Sequence, residues 1–294
     1  MVSIILSMYP YKMSPQEYCK QKTKESHSSF LFAFIFLKQK KRNALTALYA
    51  FCREVDDIAD ECTQYKISKN KLDWWRFEID RLYRNESQHP VTKALEPYIT
   101  DYELDKAYFI EIIDGMEMDL NITRYESFKQ LQLYCYRVAS TVGILSAQIF
   151  GYKDSKTLKY AHNLGIALQL TNIIRDIGED ARRGRIYIPL DELKKFNITE
   201  TEILKYINDE KMKELVESQA KRAHDYYKLA INSLPDKDKK NQKPGLMMGN
   251  IYYVLLSEII KTSPENILNQ TASLSNLKKL SIVLLTSFHY QWIK

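Results

Sequence analysis

Two pairs of aspartates, each spaced four residues apart, are the residues in this sequence whose types and spacing suggest chemistry. They are Asp56 and Asp60 in the segment YAFCREVDDIAD, and Asp176 and Asp180 in LQLTNIIRDIGED. A helix advances about 100° per residue, so residues four apart lie on one face. Most neighbours in both segments are apolar. Each carboxylate pair therefore needs a compensating partner, because burying an unpaired charge is costly.

Each pair extends backwards into a polar stripe on the same helix face. Tyr49 and Arg53 precede the first pair, and Gln169 and Asn172 precede the second. Carboxylates at i and i+4 repel one another. A divalent cation would offset that repulsion, since Mg²⁺ prefers carboxylate and other oxygen ligands and is often shared with phosphate. The stripes therefore predict a Mg²⁺ site.

The alternative interpretation is a buried network of ion pairs. Arg53 could form an ion pair with Asp56 or Asp57, and Arg175 could form one with Glu179. Neither arginine supplies enough charge for the whole acidic set, which favours the metal.

Two acidic helices on opposite sides of a helical bundle would line one central cavity. A cation held there would neutralise the charge that develops on a diphosphate leaving group, and so promote ionisation of an allylic diphosphate. The rest of the cavity wall must be apolar, to hold an isoprenoid and keep water from a carbocation.

The elements that position these residues are predicted to be helices throughout. The chain has 294 residues, 45% of them apolar, with only 8 glycines and 8 prolines, and no long alternating pattern predicts a sheet. We expect one all-α domain over residues 1–294, with 1–13 a loosely ordered N-terminal extension. Apolar periodicity predicts helices over 14–37, 43–63, 72–83, 105–120, 128–150, 155–179, 199–208, 211–233, 246–261 and 274–292.

Composition and charge limit the classes of binding partner that the sequence suggests. The net charge is +6, but the basic residues are spread along the chain, and the densest run, 237–243, is predicted to be a solvated loop. No nucleic-acid partner is expected, because acidic helices repel phosphate unless metal intervenes. The four cysteines include no Cys-x-x-Cys pair, and no apolar run reaches the length of a membrane span. These features favour a cytoplasmic protein.

Four segments resemble the squalene/phytoene synthase family of head-to-head prenyl transferases. They are Ser28-Ser29-Phe30, Tyr49–Asp60, Tyr134–Gly143 and Leu168–Pro189. The likeness runs from about residue 14 to about residue 253. It implies an all-α isoprenoid-synthase fold, a helical bundle around a central cavity.

The resemblance also implies roles for individual residues. Mg²⁺, as two or three ions with Mn²⁺ as a substitute, would be bound by Asp56, Asp60, Asn172, Asp176 and Asp180. The catalytic set would be Tyr49, Arg53, Tyr134, Arg185 and Tyr187. The substrate-binding set would be Ser28, Ser29, Phe30, Gln169 and Tyr252. Lys278 and Lys279 are further candidates for diphosphate contact. Asp114 and Asp119 either join the acidic site or cap a turn at Gly115.

The first motif most resembles bacterial hopanoid-pathway enzymes that make presqualene diphosphate. We therefore expect two farnesyl diphosphates to be condensed to presqualene diphosphate without NADPH. The alternatives are phytoene, dehydrosqualene or squalene synthesis, and, from another class, a non-catalytic helical adaptor. A lipophilic product favours peripheral contact with the inner membrane surface and with downstream pathway enzymes, although no amphipathic anchor stands out.

Overall fold

The computed structural model describes residues 13–25, 30–34, 36–61, 64–205, 210–262, 268 and 271–288, with the side chains of residues 30, 31 and 61 excepted. The predicted N-terminal extension, 1–13, lies outside the described residues except for Met13. Within these ranges no helix is long and apolar enough to cross a membrane.

The described chain is built from helices, which confirms the all-α prediction. The helices are α1 Pro15–Glu25, α2 Phe30–Phe34, α3 Gln39–Glu61, α4 Tyr65–Leu82, α5 Pro90–Asp101, α6 Lys106–Asn121, α7 Phe128–Cys135, a π-helical turn Tyr136–Ser140, α8 Thr141–Phe150, α9 Lys156–Arg175, α10 Ile177–Arg182, α11 Leu190–Lys195, α12 Glu200–Leu204, α13 Glu210–Ser233, α14 Asp236–Lys239, α15 Lys243–Lys261 and α16 Asn276–Phe288. The β-type pairing found there is one isolated bridge, between Arg124 and Ile186.

Several predicted boundaries were wrong because local signals were misread. No helix was predicted between 84 and 104, but Pro90 opens α5, where a missing N–H costs nothing and His89 accepts a hydrogen bond from the Val91 amide. The basic run 237–243 is not simply a solvated loop. It includes part of α14, and Asp238 is fully buried, accepting hydrogen bonds from the Lys153 and Asp154 amides.

Two predicted helices are interrupted. Residues 128–150 contain the π-helical turn between α7 and α8, whereas the described parts of 14–37 include α1 and α2, and residues 26–29 between them lie outside the described residues. The predicted helix 155–179 ends at Arg175. Asp176 leaves helical geometry with φ −102° and ψ 9°, and α10 begins at Ile177. The second aspartate pair therefore spans a break between two helices.

Helix α9 lies at the centre of the bundle, packed against α8, α13, α15 and the π-helical turn. Its approach to that turn is close. A Cβ atom added at Gly165 would lie 2.5 Å from the Cα of Ser140. On the other side, Phe51 of α3 packs edge-on against Trp75 of α4 and Phe109 of α6, with ring centroids 5.5 and 5.3 Å apart. This packing holds α3 and α9 in place as facing walls.

Candidate active site

A cavity of about 540 Å³ lies between α3, α8, α9, α15 and the π-helical turn. That volume is within the range that binds small-molecule ligands. Most of its wall is apolar, with Ala, Val, Leu, Met and Phe side chains from these helices. Polar side chains concentrate where α3 faces the C-terminal half of α9, and there the two acidic stripes meet.

On α3, Arg53 holds the first acidic motif together. Its guanidinium donates to Asp56, with 2.5 Å between Nη1 and Oδ2, and also to Asp57. Burial raises the pKa of Asp56 to about 6, against the lowering effect of Arg53, and the nearby carboxylates of Asp60 and Asp119 raise it further. Asp56 thus lies in a site that carries surplus negative charge.

In the second motif, Arg175 donates two hydrogen bonds to Asp176, from Nε to Oδ1 at 2.7 Å and from Nη2 to Oδ2 at 2.6 Å. It also hydrogen-bonds the buried Tyr252. Arg175 does not pair with Glu179, a contact that the alternative interpretation of a buried ion-pair network allowed. Because the helix stops at Arg175, the guanidinium meets its neighbour Asp176, and Glu179 pairs with Arg183 at 3.1 Å.

Two arginines that follow α10 reach across to the first motif. Arg183 and Arg185 each place Nη1 3.2 Å from Oδ1 of Asp60, and Arg185 also donates to the Ala59 carbonyl at 3.3 Å. The ion-pair alternative weighed only Arg53 and Arg175 against the aspartates, and so understated the positive charge here. Neither Asp119 nor Asp180 has a guanidinium at ion-pair distance in the part of the chain that the structure describes.

Asp119 belongs to this site. It accepts hydrogen bonds from the Tyr134 hydroxyl at 3.0 Å and the Tyr187 hydroxyl at 2.7 Å. Burial raises its pKa to about 6, although both hydrogen bonds and Arg185 act to lower it. Of the two readings for Asp119, the acidic site is the correct one, and α6 runs through Gly115 without a turn.

Asp114, in contrast, faces away from Asp119 toward α4, where it accepts from Arg76 at 2.5 Å. A carboxylate on an otherwise apolar helix face was the signal that could have identified Asp119. Ile112 and Met116, at helical spacing from it, are both buried and line the cavity.

Asp180 shows the charge surplus most clearly. Burial raises its pKa to about 7, the Asp176 carboxylate raises it further, and Arg185 acts in the opposite direction. On α9, the Oδ1 atom of Asn172 is buried and has no hydrogen-bond partner among the described residues, while its Nδ2 donates weakly to Gln169 at 3.4 Å.

These donors fit a hard, oxygen-liganded cation such as Mg²⁺. Within the described ranges, no three His, Cys, Asp or Glu side chains converge closely enough to form a closed metal centre. An open arrangement suits Mg²⁺, which commonly takes one or two carboxylates and fills its other positions with water and phosphate oxygens. The metal-binding role of the aspartates remains a prediction.

The other predicted residues fall into three groups. Tyr49, Arg53, Tyr134, Gln169 and Tyr252 line the large cavity together with Asp56 and Asn172. Arg185, Tyr187 and Asp180 line a smaller, separate pocket instead. Asp119 accepts hydrogen bonds from one tyrosine of each pocket, Tyr134 and Tyr187. Ser28 and Ser29 lie outside the described residues, as does the side chain of Phe30.

Of the two lysines proposed for diphosphate contact, only Lys279 reaches the cavity. Burial and the nearby Arg175 lower its pKa. Lys278 pairs with Glu258 at 3.0 Å on an exposed surface. Arg175 lines the cavity as well, and sequence reasoning had not proposed it for the site.

Comparisons with known proteins identify the family of this chain. The family model described as squalene/phytoene synthase matches residues 23–278. A phytoene synthase from Arthrospira platensis is 35% identical over 90% of this chain and 89% of its own length. A crystal structure of a dehydrosqualene synthase superposes with a TM-score of 0.83 and 26% identity, covering 94% of this chain and 96% of that one.

The structure of squalene synthase HpnC from Alicyclobacillus acidocaldarius is also similar. It superposes with a TM-score of 0.77 at 25% identity and covers 84% of this chain and 93% of that one. Together with the matched family model, these likenesses confirm the isoprenoid-synthase fold. The chain belongs to the squalene/phytoene synthase family, a family of prenyltransferase-type enzymes.

Proposed function

We propose that this protein catalyses the Mg²⁺-dependent head-to-head condensation of two allylic prenyl diphosphates, and that two geranylgeranyl diphosphates give phytoene. One observation carries the reaction class: Asp56 of the first acidic segment and Asn172 of the second line the polar end of one cavity whose remaining wall is mostly apolar, and Arg185 links the second segment to Asp60. The chain length is supported by the relative from Arthrospira platensis, which is named phytoene synthase and aligns over 90% of this chain.

The polar end can bind a diphosphate directly. Arg53, Arg175 and Lys279 line it, and guanidinium groups pair well with phosphate oxygens. Asp56, Asp60, Asn172, Asp176 and Asp180 would hold Mg²⁺, which when bound supplies charge neutralisation for the departing diphosphate. The two arginine–aspartate pairs orient these carboxylates.

The proposed reaction balances without a reductant. The C1–O bond of one substrate breaks and its electron pair leaves with diphosphate. The allylic C1 then bonds to a double bond of the second substrate, and loss of a proton closes a cyclopropane. A second ionisation, rearrangement and proton loss give phytoene, so that two diphosphates and two protons are released in all. The apolar wall excludes water, which would otherwise trap the carbocation.

Presqualene diphosphate, made from two farnesyl diphosphates, is the second candidate. The first acidic motif favours it by resemblance, and similarity to the structures named dehydrosqualene synthase and squalene synthase HpnC supports a related product. The phytoene reaction is preferred because the Arthrospira platensis relative is more similar in sequence than either structure.

A product assay tests the proposal. The purified protein is incubated with Mg²⁺ and either farnesyl or geranylgeranyl diphosphate, without NADPH, and products are identified by mass spectrometry. A forty-carbon hydrocarbon from the longer substrate is expected. Presqualene diphosphate from the shorter substrate alone would favour the second candidate. Failure to release diphosphate from either substrate would overturn both and leave the non-catalytic adaptor.

A further inference from the structure

The end of the cavity opposite the acidic segments is closed where α8 ends and α9 begins. Phe150 closes α8 and Tyr160 lies in the second turn of α9, and both line the cavity. Tyr160 and Asn172 are twelve residues apart on α9. At 1.5 Å per residue, their Cα atoms are separated by about 18 Å along the helix axis. Helix α9 therefore spans the cavity from its polar end to its floor.

Tyr160 is packed firmly into this floor. Its side chain is only 1% exposed, and a Cβ atom added at Gly245 would lie 2.8 Å from its hydroxyl oxygen. The absence of a side chain at position 245 thus makes room for the hydroxyl. Because the Tyr160 side chain already packs against α15 at Gly245, its ring cannot move further toward that helix, and its position in the cavity is fixed.

The floor also carries two polar atoms without partners. The Tyr160 hydroxyl and Oε1 of Gln242 are both buried, and neither makes a hydrogen bond to any part of the chain that the structure describes. Gln242 is anchored by its amide nitrogen, which donates to the Ala147 and Gly151 carbonyls at 3.1 and 3.0 Å. Apolar groups that reach such a floor cannot replace the hydrogen bonds that water would make there.

The depth of the cavity matches a particular chain length. An extended carbon chain advances about 1.2 Å per bond, so a farnesyl group reaches about 14 Å from its diphosphate oxygen and a geranylgeranyl group about 19 Å. One isoprene unit thus corresponds to about 5 Å, close to one helical turn of 5.4 Å. The span from Asn172 to Tyr160, taken along the axis of α9, is close to the length of the longer group.

We propose that Tyr160 sets the longest prenyl chain that this cavity accepts. Its ring forms the wall, and its hydroxyl with Oε1 of Gln242 makes that wall unfavourable for methyl groups. The proposal extends the proposed function, since it concerns the substrate of the same site, and it makes Tyr160 a specificity-determining residue rather than a catalytic one.

The test measures binding of unreactive thiolodiphosphate analogues with fifteen, twenty and twenty-five carbons, alongside product formation from the true substrates. In the wild-type protein, the twenty-carbon analogue should bind best. Tyr160→Ala should improve binding of the twenty-five-carbon analogue relative to the twenty-carbon one by about tenfold or more, as expected when a pocket gains several methylenes of space. An unchanged preference in a folded Tyr160→Ala variant would overturn the proposal.

Two further variants keep the test decisive if Tyr160→Ala fails to fold. Gly245→Ala should push the Tyr160 hydroxyl into the cavity and weaken binding of the twenty-carbon analogue against the fifteen-carbon one. The double variant Tyr160→Phe/Gly245→Ala should restore the preference, because the added Cβ lies 3.6 Å from Cζ of the ring. If Gly245→Ala and the double variant Tyr160→Phe/Gly245→Ala change the chain-length preference equally, the role of Tyr160 is contradicted.

Tyr227→Phe is the matched control for loss of a buried tyrosine hydroxyl. Tyr227 is fully buried on α13, its hydroxyl lies 3.0 Å from that of Thr171, and it does not line the cavity. Its substitution should leave chain-length preference unchanged. Wild-type protein that binds the twenty-carbon analogue best but releases no diphosphate would refute the proposed function. The role of Tyr160 in setting chain length would still stand.

Discussion

Arg185 and Asp60 join the two acidic segments, with 3.2 Å between Nη1 of the arginine and Oδ1 of the aspartate. Arg185 follows α10, and Asp60 lies in the last turn of α3. The guanidinium also donates to the Ala59 carbonyl, so it is held by both backbone and carboxylate of α3. A cation that binds Asp60 must share this carboxylate with Arg185 or displace it. If Asp60 binds the proposed cation, this contact would couple that binding to the position of the segment after α10.

Substitution of the paired aspartates tests the proposed metal site. Asp60→Ala and Asp176→Ala should each lower diphosphate release by about 10²-fold or more, because each removes a carboxylate that would hold the cation on the leaving group. Turnover is measured at saturating Mg²⁺, and circular dichroism checks the fold. Asp225→Ala, on the exposed face of α13, serves as control. Turnover equal to that of the wild type in either variant would contradict a metal-binding role for that aspartate.

The Asp119 cluster offers a test with a matched tyrosine. Tyr187→Phe removes a hydrogen bond that lowers the pKa of Asp119, so that pKa should rise above about 6. The acidic limb of the rate–pH profile should then move to higher pH if the Asp119 carboxylate is required. Tyr125→Phe is the control, because its buried hydroxyl has no hydrogen-bond partner within the described chain and its ring stacks on Tyr187. An identical shift in both variants would contradict this role.

Asp180 should make stability depend on pH. Its pKa in the folded chain is about 7, against the usual 3.8. Between these values the folded chain keeps a proton that the unfolded chain has lost, so the free energy of unfolding falls as pH rises from about 4 to about 7. Asp180→Asn removes the charge. The variant should exceed the wild type by on the order of 1 kcal/mol at pH 8, since one pKa unit corresponds to about 1.4 kcal/mol and solvent screens part of the shift.

Urea unfolding at pH 5 and pH 8, with a chelator present, measures this difference in the free energy of unfolding. The gain from Asp180→Asn should be smaller at pH 5 than at pH 8. In a separate series at pH 8 with Mg²⁺ in place of the chelator, the cation should stabilise the wild type more than the variant, because a bound cation offsets the same charge. A gain of equal size at both pH values would rule out titration of Asp180 as its cause.

The helical periods and the polar stripes could be predicted from sequence because they depend on local spacing. Asp56 and Asn172 do line one cavity, as their stripes indicated. The pairing of Arg185 with Asp60 could not be predicted, because 125 residues separate them and only the packing of α3 against the segment after α10 brings them together. The break at Asp176 was missed for a related reason. The apolar pattern continues through Ile177, and periodicity does not register a local departure from helical φ and ψ.

The floor of the cavity shows a further limit of sequence reasoning. Tyr160 occupies an ordinary position in an apolar helix, and nothing in its neighbours distinguishes it from core. Its significance depends on Gly245, which lies on α15 and leaves room for its hydroxyl. Contacts of this kind depend on which helices meet, and that is set by the whole core rather than by local pattern.

Gly165 provides a test of the packing that shapes the cavity. Alanine favours helix over glycine by about 1 kcal/mol, so Gly→Ala in a helix interior is ordinarily stabilising. A Cβ at position 165 would, however, lie 2.5 Å from the backbone of Ser140 in the π-helical turn. Backbone atoms cannot rotate aside, so Gly165→Ala should lower the free energy of unfolding by about 1–3 kcal/mol, as overpacking does.

Gly115→Ala is the matched comparison for Gly165→Ala. It has the same helical gain, but its Cβ would meet Cγ1 of Val138 at 2.7 Å and Cβ of Arg137 at 3.0 Å. Val138 can change rotamer, and the contact with Arg137 needs only a small shift, so this variant should cost less than Gly165→Ala. Denaturant unfolding of the two variants decides the point. Equal destabilisation would mean that the π-helical turn yields as easily as a side chain, and α9 would then not be held at the fixed distance from Ser140 on which the cavity wall depends.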